Sequence, residues 1–161
     1  MNKISLAALL VALLTTSASA ENMYIGLKVG KIKHTINGVP STPTDVGILG
    51  GYMISPELAF EIEYIDLGSY GTSRANATDV SLLYFYPEDE PFSLYAKLSY
   101  AASEWRTPPQ SEYYSGFTHG LGIQYNDSPV LSYRFGLDRH TLGNQAAINV
   151  DALSVTGIFH F

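Results

Sequence analysis

The chain has no cysteine, which excludes disulfide staples, thiolate zinc sites, a thiol nucleophile and the acylated cysteine of a lipoprotein. Charge is sparse as well: Asp, Glu, Lys and Arg make up 15% of the residues, and the formal net charge of −6 leaves no basic stripe for phosphates. Nucleic acid is therefore not an expected partner. After the N-terminal segment no apolar run approaches the ~20 residues of a membrane helix, and no stretch shows helical periodicity. Tryptophan occurs once, against twelve tyrosines and seven phenylalanines. Rings with a polar tip suit boundaries that are wet on one side and apolar on the other.

Residues 1–20 read as a targeting segment. Met1-Asn2-Lys3 is a cationic head, an apolar run extends from Ile4 to Leu14, and small residues at Ala18 and Ala20 form an exit. This predicts a secretory signal peptide cleaved after Ala20, because the run is too short for a spanning anchor. Residues 21–161 are then expected to form one domain. Without cysteine, an exported domain must draw its stability from its own pairing.

Eight segments alternate with period two, around 23–30, 45–54, 58–64, 79–86, 92–100, 120–125, 131–138 and 153–161. In the fifth, Phe92, Leu94, Ala96, Leu98 and Tyr100 share one face, while Ser93, Tyr95, Lys97 and Ser99 share the other. Each segment is near the ~9–11 residues with which a tilted strand crosses a bilayer. The connections take turns between tight and long. Ser55-Pro56-Glu57, the stretch 87–91 and Asn126-Asp127-Ser128-Pro129 are turn-like, whereas 36–43, 68–76, 104–114 and 141–149 read as longer loops. Such a rhythm fits an all-β, eight-stranded, up-and-down antiparallel transmembrane barrel with one trimmed and one decorated rim.

Two features favour a membrane barrel over a soluble one. Tyr52, Phe60, Tyr86, Phe92, Tyr125 and Phe161 fall on apolar faces beside the tight turns or the C-terminus, where they form an expected aromatic girdle. Tyr64, Tyr100, Phe117 and Phe135 are expected in a second ring at the other rim. The polar faces carry Lys28, Lys97 and Arg134 together with Asp45, Glu61, Glu63, Asp79 and Asp138. Inside a narrow barrel such ions must pair, so they predict a structural charge network that plugs the lumen rather than a conduction path. Glycines on the same faces are expected to leave room for the Lys and Arg stems. Acids outnumber bases in this set, which calls for shared partners, waters or a protonated carboxyl.

The segments Leu58-Ala59-Phe60-Glu61-Ile62-Glu63-Tyr64, Leu94-Tyr95-Ala96-Lys97-Leu98-Ser99-Tyr100 and Gly120-Leu121-Gly122-Ile123-Gln124-Tyr125, with the final Phe159-x-Phe161, carry a further indication. They resemble the third, fifth and sixth strands and the terminal assembly signal of the small outer-membrane barrels of Gram-negative bacteria, the OmpA-like and opacity-protein-like superfamily. The likeness spans essentially all of the mature chain. Thr156 departs from it, standing where that family often has glycine, with Gly157 displaced by one. The resemblance implies an outer-membrane location, contact with outer-membrane lipid and lipopolysaccharide, insertion by the barrel-assembly machinery, and a monomer. A peptidoglycan-binding domain is not expected.

Chemistry is harder to find. Arg139-His140-Thr141-Leu142 superficially resembles the His-x-Ser element of outer-membrane lipid A deacylases, but the position two residues after the histidine is Leu142. His140 is expected at the start of an external loop. His34, His119, His140 and His160 lack ligand spacing, and the glycine pairs lack a strand-to-helix context, so no catalytic residue, metal or cofactor is expected. Trp105, Arg106, Tyr113 and Tyr114 are residue types enriched at recognition hot spots and fall in an expected loop. They are candidates for a host or phage surface ligand, although Trp105 equally suits an interfacial anchor. These observations predict a non-enzymatic outer-membrane barrel serving envelope structure or surface interaction. A lipid-modifying hydrolase and a soluble periplasmic β-barrel binding protein remain as alternatives.

Overall fold

Continuous alternation gives every strand one face of large apolar residues and one of small, polar or ionic residues, so a sheet built from them must separate two unlike media. A computed structural model describes residues 22–36, 39–70, 73–87, 91–107, 109–142 and 148–161. The expected signal peptide lies outside the described residues. The strands are β1 (Met23–Ile36), β2 (Val39–Ser41), β3 (Thr44–Ser55), β4 (Leu58–Tyr70), β5 (Ser73–Pro87), β6 (Phe92–Thr107), β7 (Gln110–Ser128), β8 (Leu131–Leu142) and β9 (Ile148–His160). Neighbours in sequence pair antiparallel from β3 to β9, and β1 pairs with both β3 and β9. The eight long strands thus close into a barrel. β2 is a short return on the far end of β1, pairing Ile36 with Val39.

The tight turns lie at one rim, where backbone bonds tie neighbours together. Phe85 N–H donates to Glu57 O at 2.7 Å, Asn126 N–H to Pro91 O at 2.8 Å, and His160 N–H to Val130 O at 2.9 Å. Phe161 N–H donates to Met23 O at 3.0 Å, joining the last residue to the first strand. At the opposite rim the structure departs from the expected loops. β4 and β5 continue to Tyr70 and from Ser73, and β6 and β7 continue to Thr107 and from Gln110, so 68–76 and 104–114 are largely paired strand. The physical reason is that the outward face needs to be apolar only where lipid touches it. Beyond that band Asp66, Arg74, Glu104 and Arg106 take the outward positions while period two persists in the backbone.

One irregularity interrupts the long β4–β5 pair. Gly68 sits at a bulge with φ of 83°, a left-handed conformation that favours glycine, and its N–H donates to Asp66 Oδ1 at 3.0 Å.

The two faces sort as a membrane protein requires. Leu27, Val46, Leu82, Leu98, Leu121, Leu137 and Leu153 are exposed on the outside, whereas Lys28, Asp45, Glu61, Glu63, Asp79, Lys97, Arg134 and Asp138 are all buried within. A soluble barrel places apolar side chains inside, so this distribution disfavours that alternative.

Candidate functional site: a sealed lumen under a strand platform

The inward positions of the eight strands form three layers. In the middle, Glu63 on β4 receives Lys28 Nζ from β1 at 2.5 Å and Lys97 Nζ from β6 at 3.2 Å, and Lys97 also lies 3.8 Å from Asp138 of β8. One carboxylate thus serves two ammonium groups. Nearer the turn rim, Arg134 Nη1 donates to Glu61 Oε1 at 2.6 Å, and Tyr24 OH donates to the same oxygen at 2.7 Å. Arg134 Nη2 and Nε reach Gln124 Oε1 at 3.0 and 3.3 Å. Its guanidinium lies 5.1 Å from the Tyr95 ring centroid, 5.5 Å from Phe85 and 6.0 Å from Tyr24, within cation–π range. Buried ions are tolerated on such terms because pairing and hydrogen bonds offset desolvation.

The eight expected network residues are not one cluster. Lys28, Glu63, Lys97 and Asp138 meet, Arg134 and Glu61 meet, and Asp45 and Asp79 join neither through a lysine or arginine contact among the described residues. Asp79 Oδ2 lies 3.8 Å from His140 Nδ1. The glycines on these faces also differ from expectation, since they make room chiefly for acids and tyrosines. A Cβ on Gly120 would lie 2.0 Å from Asp138 Oδ1, and one on Gly51 would lie 2.2 Å from the Tyr24 ring.

Apolar layers lie on either side of the ionic one. Toward the turn rim Tyr24, Leu49, Ala59, Leu83, Phe85, Tyr95 and Ile158 pack together. Toward the other rim Ile32, Ile65, Leu67, Ala75, Ala77, Trp105, Val150 and Ala152 do so, with Tyr114 against them. The sequence reading did not identify these plugs. Their signal was present, because Leu49, Leu83 and Tyr95 stand in register with the ions rather than with the lipid-facing residues.

Trp105 therefore requires correction as a loop residue. It is 8% exposed, points into the upper lumen from β6, and meets the Tyr114 ring edge-on with centroids 6.5 Å apart. Strand alternation separates it from Arg106 and Tyr113, which face outward. Glu104 joins those two, accepting from Arg106 Nη2 at 2.7 Å and Nε at 2.8 Å and from Tyr113 OH at 3.2 Å. Hydrogen bonding to Arg106 holds the Glu104 carboxyl below the usual carboxylate range. Arg74 of β5 faces Arg106 across the strand pair and is bound to Asp66.

His140 is likewise not at an external loop. It is buried in the lumen, with Nδ1 2.8 Å from Thr118 Oγ1. Thr118, His140 and Asp79 are the residue types of a hydrolase triad, yet both neighbours approach the same ring nitrogen. A working triad needs nucleophile and orienting acid on opposite nitrogens. Thr118 and Asp79 are also fully buried, out of contact with lipid.

Of the girdle residues, Tyr52 faces Phe60, and Phe92 and Tyr125 face each other with ring centroids 5.2 Å apart. Tyr86 and Phe161 are exposed at the same rim, and the exposed Tyr84 and Tyr133 were missed. At the other rim Tyr100 meets Phe117 edge-on at 5.6 Å. Phe135 does not belong there, since it pairs with Ile123 and Val155 one outward position from Tyr133.

Among curated proteins none matches the sequence. Solved structures do match the fold. Neisserial surface protein A is 17% identical with a TM-score of 0.70, covering 86% of this chain and 97% of that one. The N-terminal β-barrel domain of Pseudomonas aeruginosa OprF is 15% identical with a TM-score of 0.64, over 86% and 98% of the two chains. The attachment invasion locus protein Ail of Yersinia pestis is 14% identical with a TM-score of 0.61, over 88% and 99%. A sequence profile described as "Outer membrane protein beta-barrel domain" matches residues 4–161. With lipid-facing grease, an ionic interior and a closed antiparallel ring all in place, the chain belongs to that family of outer-membrane barrels.

Proposed function

We propose that the protein is a non-enzymatic barrel that meets partners at the cell surface through the strand platform β4–β7. The observation that carries this reading is strand length. β6 and β7 run 16 and 19 residues, well beyond the ~9–11 that cross the bilayer, and so raise Arg106, Tyr113 and Glu104 above the outer aromatics on paired backbone. A stiff platform loses little entropy on binding a host or phage surface ligand. Ail offers a parallel, as one of its crystal structures holds the heparin analogue sucrose octasulfate. The absence of enzymatic activity is supported by the arrangement at Thr118, His140 and Asp79.

Replacing Arg106 and Tyr113 together by alanine is expected to abolish cell adherence or phage adsorption while the barrel, with Trp105 still packed, inserts as before. Unchanged binding by cells with this double variant overturns the platform reading. Loss of the gene is expected to leave the lipid A acyl pattern unaltered, and a changed pattern on mass spectra supports a hydrolase instead. The same proposal includes cleavage after Ala20, insertion by the barrel-assembly machinery through β9, and a monomer. N-terminal sequencing starting at Glu21 tests the first of these.

A further inference from the structure

The wall over β7, β8, β9 and β1 carries an outward groove of about 540 Å³. Two rows of side chains cross it in register. His119 faces Arg139, Arg139 faces Asp151, and Asp151 faces Lys33. In the neighbouring row Leu121 faces Leu137, Leu137 faces Leu153, and Leu153 faces Lys31. Followed from Lys31 around the ring, the second row passes Leu121 and Tyr84 and arrives at Leu58, the first residue of β4 at the turn rim. The row thus descends, and the lysines stand higher on the barrel than the leucines beside them. Phe117 of the outer aromatic pair is one outward position above His119. The groove therefore spans the boundary between acyl chains and headgroups.

Its charge is also unlike the rest of the wall. Arg139 is held by Asp151, Nε to Oδ1 at 2.6 Å and Nη2 to Oδ2 at 3.1 Å, and Lys31 Nζ donates to the Thr44 hydroxyl at 2.8 Å. Asp138 also lines the groove but is buried toward the lumen beside Lys97, so Lys31 and Lys33 add positive charge that the outward carboxylate Asp151, already engaged by Arg139, does not balance. On the opposite side Arg74 and Arg106 each have their own carboxylate. A local cationic excess on a chain of net charge −6, directly above a leucine floor, is complementary to one kind of occupant.

We propose that this groove binds the phosphorylated lipid A moiety of lipopolysaccharide, with an acyl chain along Leu121, Leu137 and Leu153 and a phosphate at Lys31 and Lys33. The proposal rests on the outer-membrane reading and names a site for its lipid partner, separate from the platform. Full-length mature barrel, refolded in detergent, is mixed in turn with bisphosphorylated lipid A, dephosphorylated lipid A and phosphatidylglycerol, and lipid retention is read by native mass spectrometry. Retention of the bisphosphorylated form above both others is expected. The double variant Lys31→Ala, Lys33→Ala is expected to lower it roughly thirtyfold, and Arg74→Ala, Arg106→Ala to leave it unchanged. Equal retention of the dephosphorylated lipid or of phosphatidylglycerol by the unaltered barrel overturns the assignment without need of any variant. An equal loss in both double variants overturns it too. The Arg106→Ala, Tyr113→Ala variant should retain lipid A normally, so the groove and the platform fail or stand separately.

Discussion

At Glu61 one carboxylate oxygen accepts from both Arg134 and Tyr24, and Arg134 is its one basic partner among the described residues. Glu63 differs in having two lysines. Replacing Arg134 by methionine strands a buried carboxylate and is expected to cost about 3–5 kcal/mol in urea unfolding from micelles. Lys28→Met should cost clearly less, because Lys97 stays on both Glu63 and Asp138, and equal costs would show that the two centres are not organised as described. At Gly68 an added methyl group forces a left-handed conformation on an ordinary residue, so Gly68→Ala should lose about 1–2 kcal/mol in the same assay. Glu104 offers a test of a different kind. Its carboxyl titrates low because Arg106 bonds its ionised form, so Arg106→Ala should raise the midpoint of the Glu104 carboxyl resonance toward the ordinary value. In linkage terms a depressed carboxylate contributes above its unfolded value and loses that contribution as pH falls through the folded one. Glu104 lies on the outer surface beyond the lipid band, partly covered by Arg106 and Tyr113, so the readout is its own resonance rather than global unfolding.

The strand pair β6–β7 explains why reading by hydrophobicity ended its elements too early. Below Tyr100 lipid keeps the outward positions apolar, and above it Glu104 and Arg106 occupy them while Trp105 still points into the lumen. The alternation in side-chain direction continued where the alternation in hydropathy became irregular. Trp105 reports on this pair directly, being the one tryptophan of the chain. Its fluorescence is expected to be blue-shifted and insensitive to brominated or spin-labelled lipids, whereas an interfacial anchor is quenched by them. Trp105→Ala should also destabilise the barrel by about 3 kcal/mol, the toll of a large ring lost from packed surroundings.

Across the whole barrel, the lysine–carboxylate layer lies between two layers rich in aromatic and aliphatic groups, the one nearer the turns also enclosing Arg134 and Glu61. An eight-stranded barrel has an interior just wide enough for side chains, and here aromatic and aliphatic groups occupy both ends of it. Planar bilayers containing the purified protein are therefore expected to show no steady conductance of porin size. A stable open channel would contradict the packing described for Trp105 above and Phe85 below.

Period two, the aromatics beside the tight turns and the mixture of ionic signs on one face were enough to specify a closed barrel with grease outward, because these depend only on which way successive strand side chains point. Which ions meet was not legible. Lys28 and Lys97 converge on Glu63 from strands far apart in the chain, and Arg134 reaches Glu61 across the lumen. Those meetings depend on the stagger with which eight tilted strands close, a property of the ring rather than of any segment. The same stagger gathers Lys31, Lys33 and Arg139 onto one quadrant, whereas Trp105 reaches the core because β6 keeps its alternation beyond the lipid band.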